Sequence, residues 1–327
     1  MPFTLSSLES AAATVHAVLP PTPQYSWALL NQRLGTELWV KHENHTPLGA
    51  FKVRGGLTYF EHLRRSAPQV REVVCATRGN HGQSVAFAAA RHGLRATIVV
   101  PHGNSTEKNA AMRALGAELV VVGDDFQAAR EHAARLGSEH GMHAVPAFDP
   151  LLVAGVASYG LEFLRGAPPL DVVFVPIGMG SGACSMIAAR DALGCRTEIV
   201  GVVSAHAPAY ARSVTEGRLV THPASTRLAD GMACSTPDPA ALEILRRGLA
   251  DIVEVSDDEV ATAMRALFED THNVAEGAGA AALAAALQRK ASVRGRRCGI
   301  VVTGGNVDRT MFREVLADEP EGTASTA

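Results

Sequence analysis

Short apolar runs rich in valine recur along the chain, and each is followed by an alanine-rich stretch of helical character. "VREVVCAT" precedes "SVAFAAARHG", "RATIVVP" precedes "STEKNAAMRALG", and "AELVVVG" precedes "DFQAAREHAARLGSEHG". The alternation resumes after Pro150 with "LDVVFVPIG", "SMIAARDALG", "TEIVGVVS", "EGAGAAALAAALQ" and "RCGIVVTGG". A strand that is apolar on both faces must be covered on both, and intervening helices supply that cover. The pattern predicts an α/β chain of two doubly wound halves with parallel-rich sheets. The segment "HAVPAFDPLLVAG", around residues 143–155, is the expected crossover between them. No repeat of fixed period and no Ser/Gly linker interrupts the pattern. The closing "ADEPEGTASTA" reads as a loose polar tail, with no regulatory domain expected after it.

Composition narrows the choice of partner. The 327 residues carry 30 Lys and Arg against 33 Asp and Glu, so no positive excess exists to draw in phosphate backbones or anionic lipid. Neither nucleic acid nor a membrane is an expected partner. The opening "MPFTLSSLESAAATVHAVLPPTP" has no basic lead and no unbroken apolar segment, so no signal peptide is expected, and no apolar run is long enough to span a bilayer. Cys75, Cys184, Cys195, Cys234 and Cys298 are far apart and form no CxxC pair, which suggests neither a disulfide framework nor a thiolate metal site and fits a reducing cytoplasm.

Four stretches could carry chemistry. In "HTPLGAFKVRGG", Lys52 follows Phe51 and lies among Gly49, Gly55 and Gly56. A lysine is ordinarily a solvated cation, but this setting permits a desolvated pocket, which lowers an amine's pKa and suits Schiff-base chemistry. "PIGMGSGACSM" follows an apolar strand and opens a helix, where exposed amides at the positive helix end make a phosphate cradle. Gly178, Gly180 and Ala183 formally satisfy the dinucleotide pattern G-x-G-x-x-G/A. The next strand, however, ends at Ser204 with no acid for a ribose hydroxyl, so a single phosphate group is favoured over a dinucleotide or a plain turn. "ATRGNHGQS" places Thr77, Asn80 and His81 where they could grip a carboxylate or merely cap a helix. "VVTGGNVD" ends a strand on Thr303, two glycines and Asn306, a site or a turn. The histidines, among them His42, His45, His81, His102, His206 and His272, show no HExxH or similar spacing, and no G-x-S-x-G elbow is present.

Taken in order, "KHEN", "GAFKVRGG", "RGNHGQS", "FDPLLVAG", "PIGMGSG", "LADGMA", "AEGAGAAALAA" and "TGGNVD" resemble the fold-type-II pyridoxal-phosphate enzymes, the tryptophan-synthase-β type. Within them the resemblance is to the serine/threonine dehydratase and serine racemase family, and it runs from "PPTP" at residues 20–23 to "GGNVD" at 304–308. It implies a large cofactor domain, residues 1–66 and 149–327, and a small substrate-loop domain, residues 67–148, with pyridoxal 5'-phosphate in the cleft between them. It also implies that Lys52 forms the Schiff base and later serves as general base at Cα, and that Phe51 packs beside the ring. Asn80 would bond the 3-hydroxyl, and Gly178, Met179, Gly180, Ser181 and Gly182 would hold the phosphate. Thr303 would meet the pyridine nitrogen, leaving it unprotonated and the ring a weaker electron sink, which favours prompt loss of a β-substituent. Thr77, Arg78, Asn80 and His81 are the expected substrate contacts. The implied reaction is β-elimination of water from a 3-hydroxy amino acid, giving a 2-oxo acid and ammonia, by a homodimer.

Three departures stand out. Arg78 occupies a place where the racemases carry a serine; a guanidinium is a poor proton shuttle, which puts racemisation in doubt and leaves carboxylate binding or aromatic stacking. Ser204 and Tyr210 stand where relatives bring acids to a divalent cation, so no metal site is expected. Val156, Ala157 and Ser158 replace a commoner "QGT", through local packing or a reshaped pocket. The substrate could therefore be threonine or serine, a bulkier phenylserine, or an acidic 3-hydroxyaspartate. The alternatives are a racemase, a β-replacement synthase of the same fold, a dinucleotide enzyme and a non-catalytic binder.

Overall fold

In the computed structural model, which describes residues 3–317, the valine-rich runs are strands and the alanine-rich stretches are the helices that cover them. The strands are β1 (Gln24–Ser26), β2 (Leu38–His42), β3 (Glu72–Ala76), β4 (Arg95–Val100), β5 (Glu118–Val121), β6 (His143–Ala144), β7 (Val172–Pro176), β8 (Glu198–Ser204), β9 (Asp251–Val255) and β10 (Cys298–Val302). They form a six-stranded sheet of order β1-β2-β10-β7-β8-β9 and a four-stranded sheet of order β5-β4-β3-β6. Every pairing is parallel except β1 with β2.

The crossover segment holds β6 and the start of the helix Pro150–Gly166. A division of strands into halves before and after it fails for β1 and β2. The β2 strand runs beside β10, Leu38 opposite Cys298 and Val40 opposite Ile300, because its buried residues belong to the same core. The tail after Ala317 lies outside the described residues. No helix among them is long and apolar enough to cross a membrane.

Strands β7 and β10 are buried along their whole length. The helix Gly277–Gln288 packs on them, and its residues Gly277 to Ala286 are all buried. A helix that is apolar all round can be covered on all sides, and alanine side chains let it lie close to its neighbours.

A charged cluster anchors the helix Lys52–Ser66. Arg54, fully buried, donates through Nε to Glu43 Oε2 at 2.7 Å and through Nη1 to Glu162 Oε1 at 2.6 Å and Ser158 Oγ at 2.8 Å. The equally buried Lys41 ammonium reaches Glu162 Oε2 at 2.5 Å and the Thr22 carbonyl at 2.8 Å. Val156, Ala157 and Ser158 are buried in the helix Pro150–Gly166, and Ser158 completes this cluster. Burial pushes the Glu162 carboxyl up, but the Arg54 guanidinium and the Lys41 ammonium outweigh it and hold the group down at about 2. Its folded pKa lies below the unfolded one, so its contribution to stability is present above the usual carboxylate range and fades as pH falls toward 2.

Breaking a buried ion cluster by removing one partner destabilises by about 3–5 kcal/mol. Glu162→Gln is expected to lower stability by that order in urea unfolding at neutral pH and to flatten its acid dependence. A stability curve that matches the wild type would contradict the cluster's anchoring role.

Candidate active site

Between the two sheets lies a cavity of about 920 Å³, counting its open side, and every sequence-predicted site residue lines it. Phe51 and Lys52 reach it from the start of the helix Lys52–Ser66, Thr77 and Arg78 from the loop after β3, Asn80 and His81 from the start of the helix Asn80–Arg91, Gly178 to Gly182 from the turn after β7 and the helix start that follows it, and Thr303 from the end of β10. Three strand ends and one helix start thus converge on one crevice, the usual place for a ligand in open α/β sheets.

Lys52 is the first residue of its helix, and its Nζ donates to Ser181 Oγ at 3.1 Å and sits 5.1 Å from the Phe51 ring centre. Ser181 belongs to the turn 129 positions later in the chain. No carboxylate pairs with the amine among the described residues. Burial alone brings it down to about 8, and its position at a helix N-terminus also opposes positive charge.

The turn after β7 is built for close approach. Gly180 has φ 97°, and a Cβ on Gly178 would stand 2.1 Å from the Gly231 carbonyl oxygen. The helix Ser181–Leu193 makes its first bond from the Cys184 amide to the Gly180 carbonyl at 2.9 Å, which leaves the amides of Ser181, Gly182 and Ala183 without helical partners. Tyr210 braces the turn by donating to the Met179 carbonyl at 3.0 Å. Ser204 likewise has a local partner, accepting from the His206 amide at 3.1 Å. No group of three or more His, Cys, Asp or Glu side chains poised for a metal occurs among the described residues.

Thr77 Oγ1 shapes its loop by accepting from the amides of Gly79 at 2.9 Å and Gly82 at 3.3 Å. The Asn80 amide donates to Glu276 Oε1 at 2.6 Å and accepts from Asn306 Nδ2 at 2.9 Å, so its plane is fixed and one N–H stays free. Burial first, then the charge of Lys52, bring His81 down to about 3, which keeps its imidazole neutral. Its Nε2, the Nε of Arg78 and Glu276 Oε2 are buried without a hydrogen-bond partner. Buried polar atoms of this kind are uncommon and mark a place where a ligand completes the bonding.

A model of the family described as pyridoxal-phosphate dependent enzyme matches residues 17–304. The chain belongs to the pyridoxal-phosphate dependent enzymes. An L-threonine ammonia-lyase of Thermotoga maritima is 34% identical over 315 residues, 96% of this chain and 78% of that one. The threonine deaminase of T.th. superposes with TM-score 0.86 at 32% identity, covering 93% and 99% of the two chains. Maize serine racemase superposes with TM-score 0.89 at 26% identity, covering 97% and 98%.

For a pyridoxal-phosphate dependent enzyme of this fold the cavity is a physical match. Its unpartnered helix-end amides suit a phosphate, its desolvated amine suits an aldehyde, and its orphaned Arg78 and His81 nitrogens suit anionic or polar substituents.

Three charged residues at the site escape the sequence reading. Lys108, Asp230 and Glu276 line the cavity, with Lys108 Nζ 2.8 Å from Asp230 Oδ2 and 3.0 Å from Glu276 Oε2. The latter contact is close but poorly aligned, which is why that oxygen lacks a hydrogen bond. Burial pushes the Glu276 carboxyl up against the pull of Lys108. Gly79, at φ 153°, gives Lys108 its passage, since a Cβ there would meet Lys108 Cδ at 2.3 Å. Asp230 and Glu276 stand inside quoted motifs, but Lys108 lies in "STEKNAAM", which reads as a solvated helix.

Competitive acetylation of the cofactor-free chain across a pH series is expected to show Lys52 titrating near 8, protonated and unreactive below that point and fully reactive above it. A midpoint at the ordinary lysine value of about 10.4 would contradict the enclosure described here.

Proposed function

We propose that the chain is a pyridoxal-phosphate dependent ammonia-lyase that removes water from a 3-hydroxy amino acid of the threonine type, releasing a 2-oxo acid and ammonia. The observation that carries this reading is the desolvated Lys52 amine facing a glycine turn with free helix-end amides. The threonine ammonia-lyase and threonine deaminase among its relatives support it.

In this reading Lys52 Nζ would hold the cofactor's aldehyde carbon, with Phe51 against the ring. Gly178, Met179, Gly180, Ser181 and Gly182 would hold the phosphate, Asn80 the 3-hydroxyl, and Thr303 the pyridine nitrogen. Thr303 Oγ1 has only a long bond to the Ala278 carbonyl, 3.3 Å, so its proton is available to a better acceptor. When bound, the cofactor supplies a carbonyl for the substrate amine and a conjugated ring that draws on the electron pair left at Cα.

The chain's own residues do the rest. The orphaned Arg78 guanidinium, His81 and the amides at the start of the helix Asn80–Arg91 bind the substrate carboxylate. Lys52, once free, takes the Cα proton at Nζ; an amine near 8 is close enough to neutrality to act as a base. Ser181 Oγ accepts from Nζ, so as it gives its own proton to the departing hydroxyl, which leaves as water, it takes in return the proton that Lys52 removed from Cα. His81, held neutral by burial and by the Lys52 charge, binds through hydrogen bonds alone and adds no charge beside Nζ. The Arg78 guanidinium, five donors and no acceptor, offers no second base for the opposite face of Cα, which favours elimination over racemisation.

Lys52→Ala is expected to lower ammonia and 2-oxo acid release from threonine by more than about 100-fold and to abolish the visible absorbance of the bound cofactor. Retained activity with retained colour would refute the assignment. Appearance of the D-amino acid as main product in the wild type would replace the lyase reading with a racemase.

A further inference from the structure

The cavity around Lys52 has a neighbour. A second cavity of about 1070 Å³, counting its open side, adjoins it, and Ala76, Phe126, Ala147 and Met179 line both. Its remaining walls come from β3, from Ala144 on β6, from the helix Phe126–His140 and from the segment Thr236–Pro239.

Most of the side chains that line it are apolar, and Arg130, Thr236 and Asp238 carry its polar groups. The Asp238 carboxylate caps the helix Pro239–Gly248, accepting from the amides of Ala240 at 2.9 Å and Ala241 at 3.1 Å. Thr236 Oγ1 is paired with Thr221 Oγ1 at 3.2 Å, and Arg130 is exposed, its charge acting on the Cys234 thiol. On the Lys52 side, Cys234 lines the first cavity, its thiol bonded to the Thr236 carbonyl at 3.3 Å and lying 3.7 Å from Met179 Sδ. An apolar substituent laid against the alanine, valine, proline and phenylalanine side chains of these walls gains by burial. Met179, unbranched and polarizable, suits contact with an aromatic ring.

We infer that the second cavity receives the substituent on Cβ of the substrate, and that the preferred substrate is a 3-hydroxy amino acid whose Cβ carries a bulky apolar group, aryl or branched alkyl, in place of threonine's methyl. This rests on the lyase reading and deepens it. The methyl of threonine needs none of this room. Arg78 answers to the α-carboxylate that every candidate substrate carries.

The test compares wild-type holoenzyme with Ala144→Leu and Ala134→Leu. Both positions are exposed and line the second cavity alone, and two variants guard against one that fails to fold. Release of 2-oxo acid is followed from threonine, phenylserine and 3-hydroxyaspartate, and calorimetry compares binding of phenylalanine with alanine, which needs no turnover. Wild type is expected to favour phenylserine over threonine in kcat/KM by at least about 10-fold, since even one methylene in an apolar pocket is worth that much. Each folded variant is expected to reduce that ratio, and the phenylalanine advantage in binding, by at least about 10-fold. Preference for threonine or 3-hydroxyaspartate, or ratios unmoved by both variants, overturns the inference. If no 3-hydroxy amino acid is dehydrated, the lyase reading fails by itself. Calorimetry then decides the cavity: a ring advantage lost in the variants upholds it, and its absence overturns it.

Discussion

Excluding water from one amine is the constraint on which the site depends. An ammonium at Lys52 faces no carboxylate, sits at a helix N-terminus and is shut in by Phe51 and the turn after β7, so its charged form loses solvation with no opposite charge to offset it. That enclosure needs a rigid frame. Arg54, two residues along the same helix, is clamped between Glu43 and Glu162, so the helix start cannot move without unpairing fully buried charges. The site's reactivity and the fold's most buried ion cluster are therefore coupled through one turn of helix.

The charges on the far side of the cavity are arranged differently. Lys108 is paired with two carboxylates and so stays an ammonium, held above its usual value by Glu276 and Asp230 against burial. Two lysines in one cavity are thus shifted in opposite directions by the presence or absence of a carboxylate. The Lys108 cluster also joins the two sheets: Lys108 follows β4, while Asp230 and Glu276 belong to the chain that builds the larger sheet. Nearby, Ser105 donates to Asp308, and the Arg309 amide donates to Glu107 at 2.9 Å. The cleft is strapped on that side by polar contacts.

Much of this was legible in the residues. Continuous valine runs required strands covered on both faces, and the glycine turn at residues 178–182 and Lys52 beside Phe51 marked chemistry that the cavity then brought together. Three things were not legible, each because it depends on contacts distant in sequence. The β2 strand looks like a neighbour of the segments that follow it, yet its partner is β10, some 260 residues away, through a register that no local pattern encodes. Lys108 reads as a surface lysine because its carboxylates come from two other loops. The apolar cavity beside the site is lined by alanines and prolines that carry no signal until helix, strand and loop meet.

The most direct measurement is chemical trapping. Wild-type protein loaded with pyridoxal 5'-phosphate is reduced with borohydride, digested and mapped by mass spectrometry. The account predicts one modified residue, Lys52, because it is the cavity lysine without a carboxylate partner. Label on Lys108 or Lys41, or none on the chain, would contradict it.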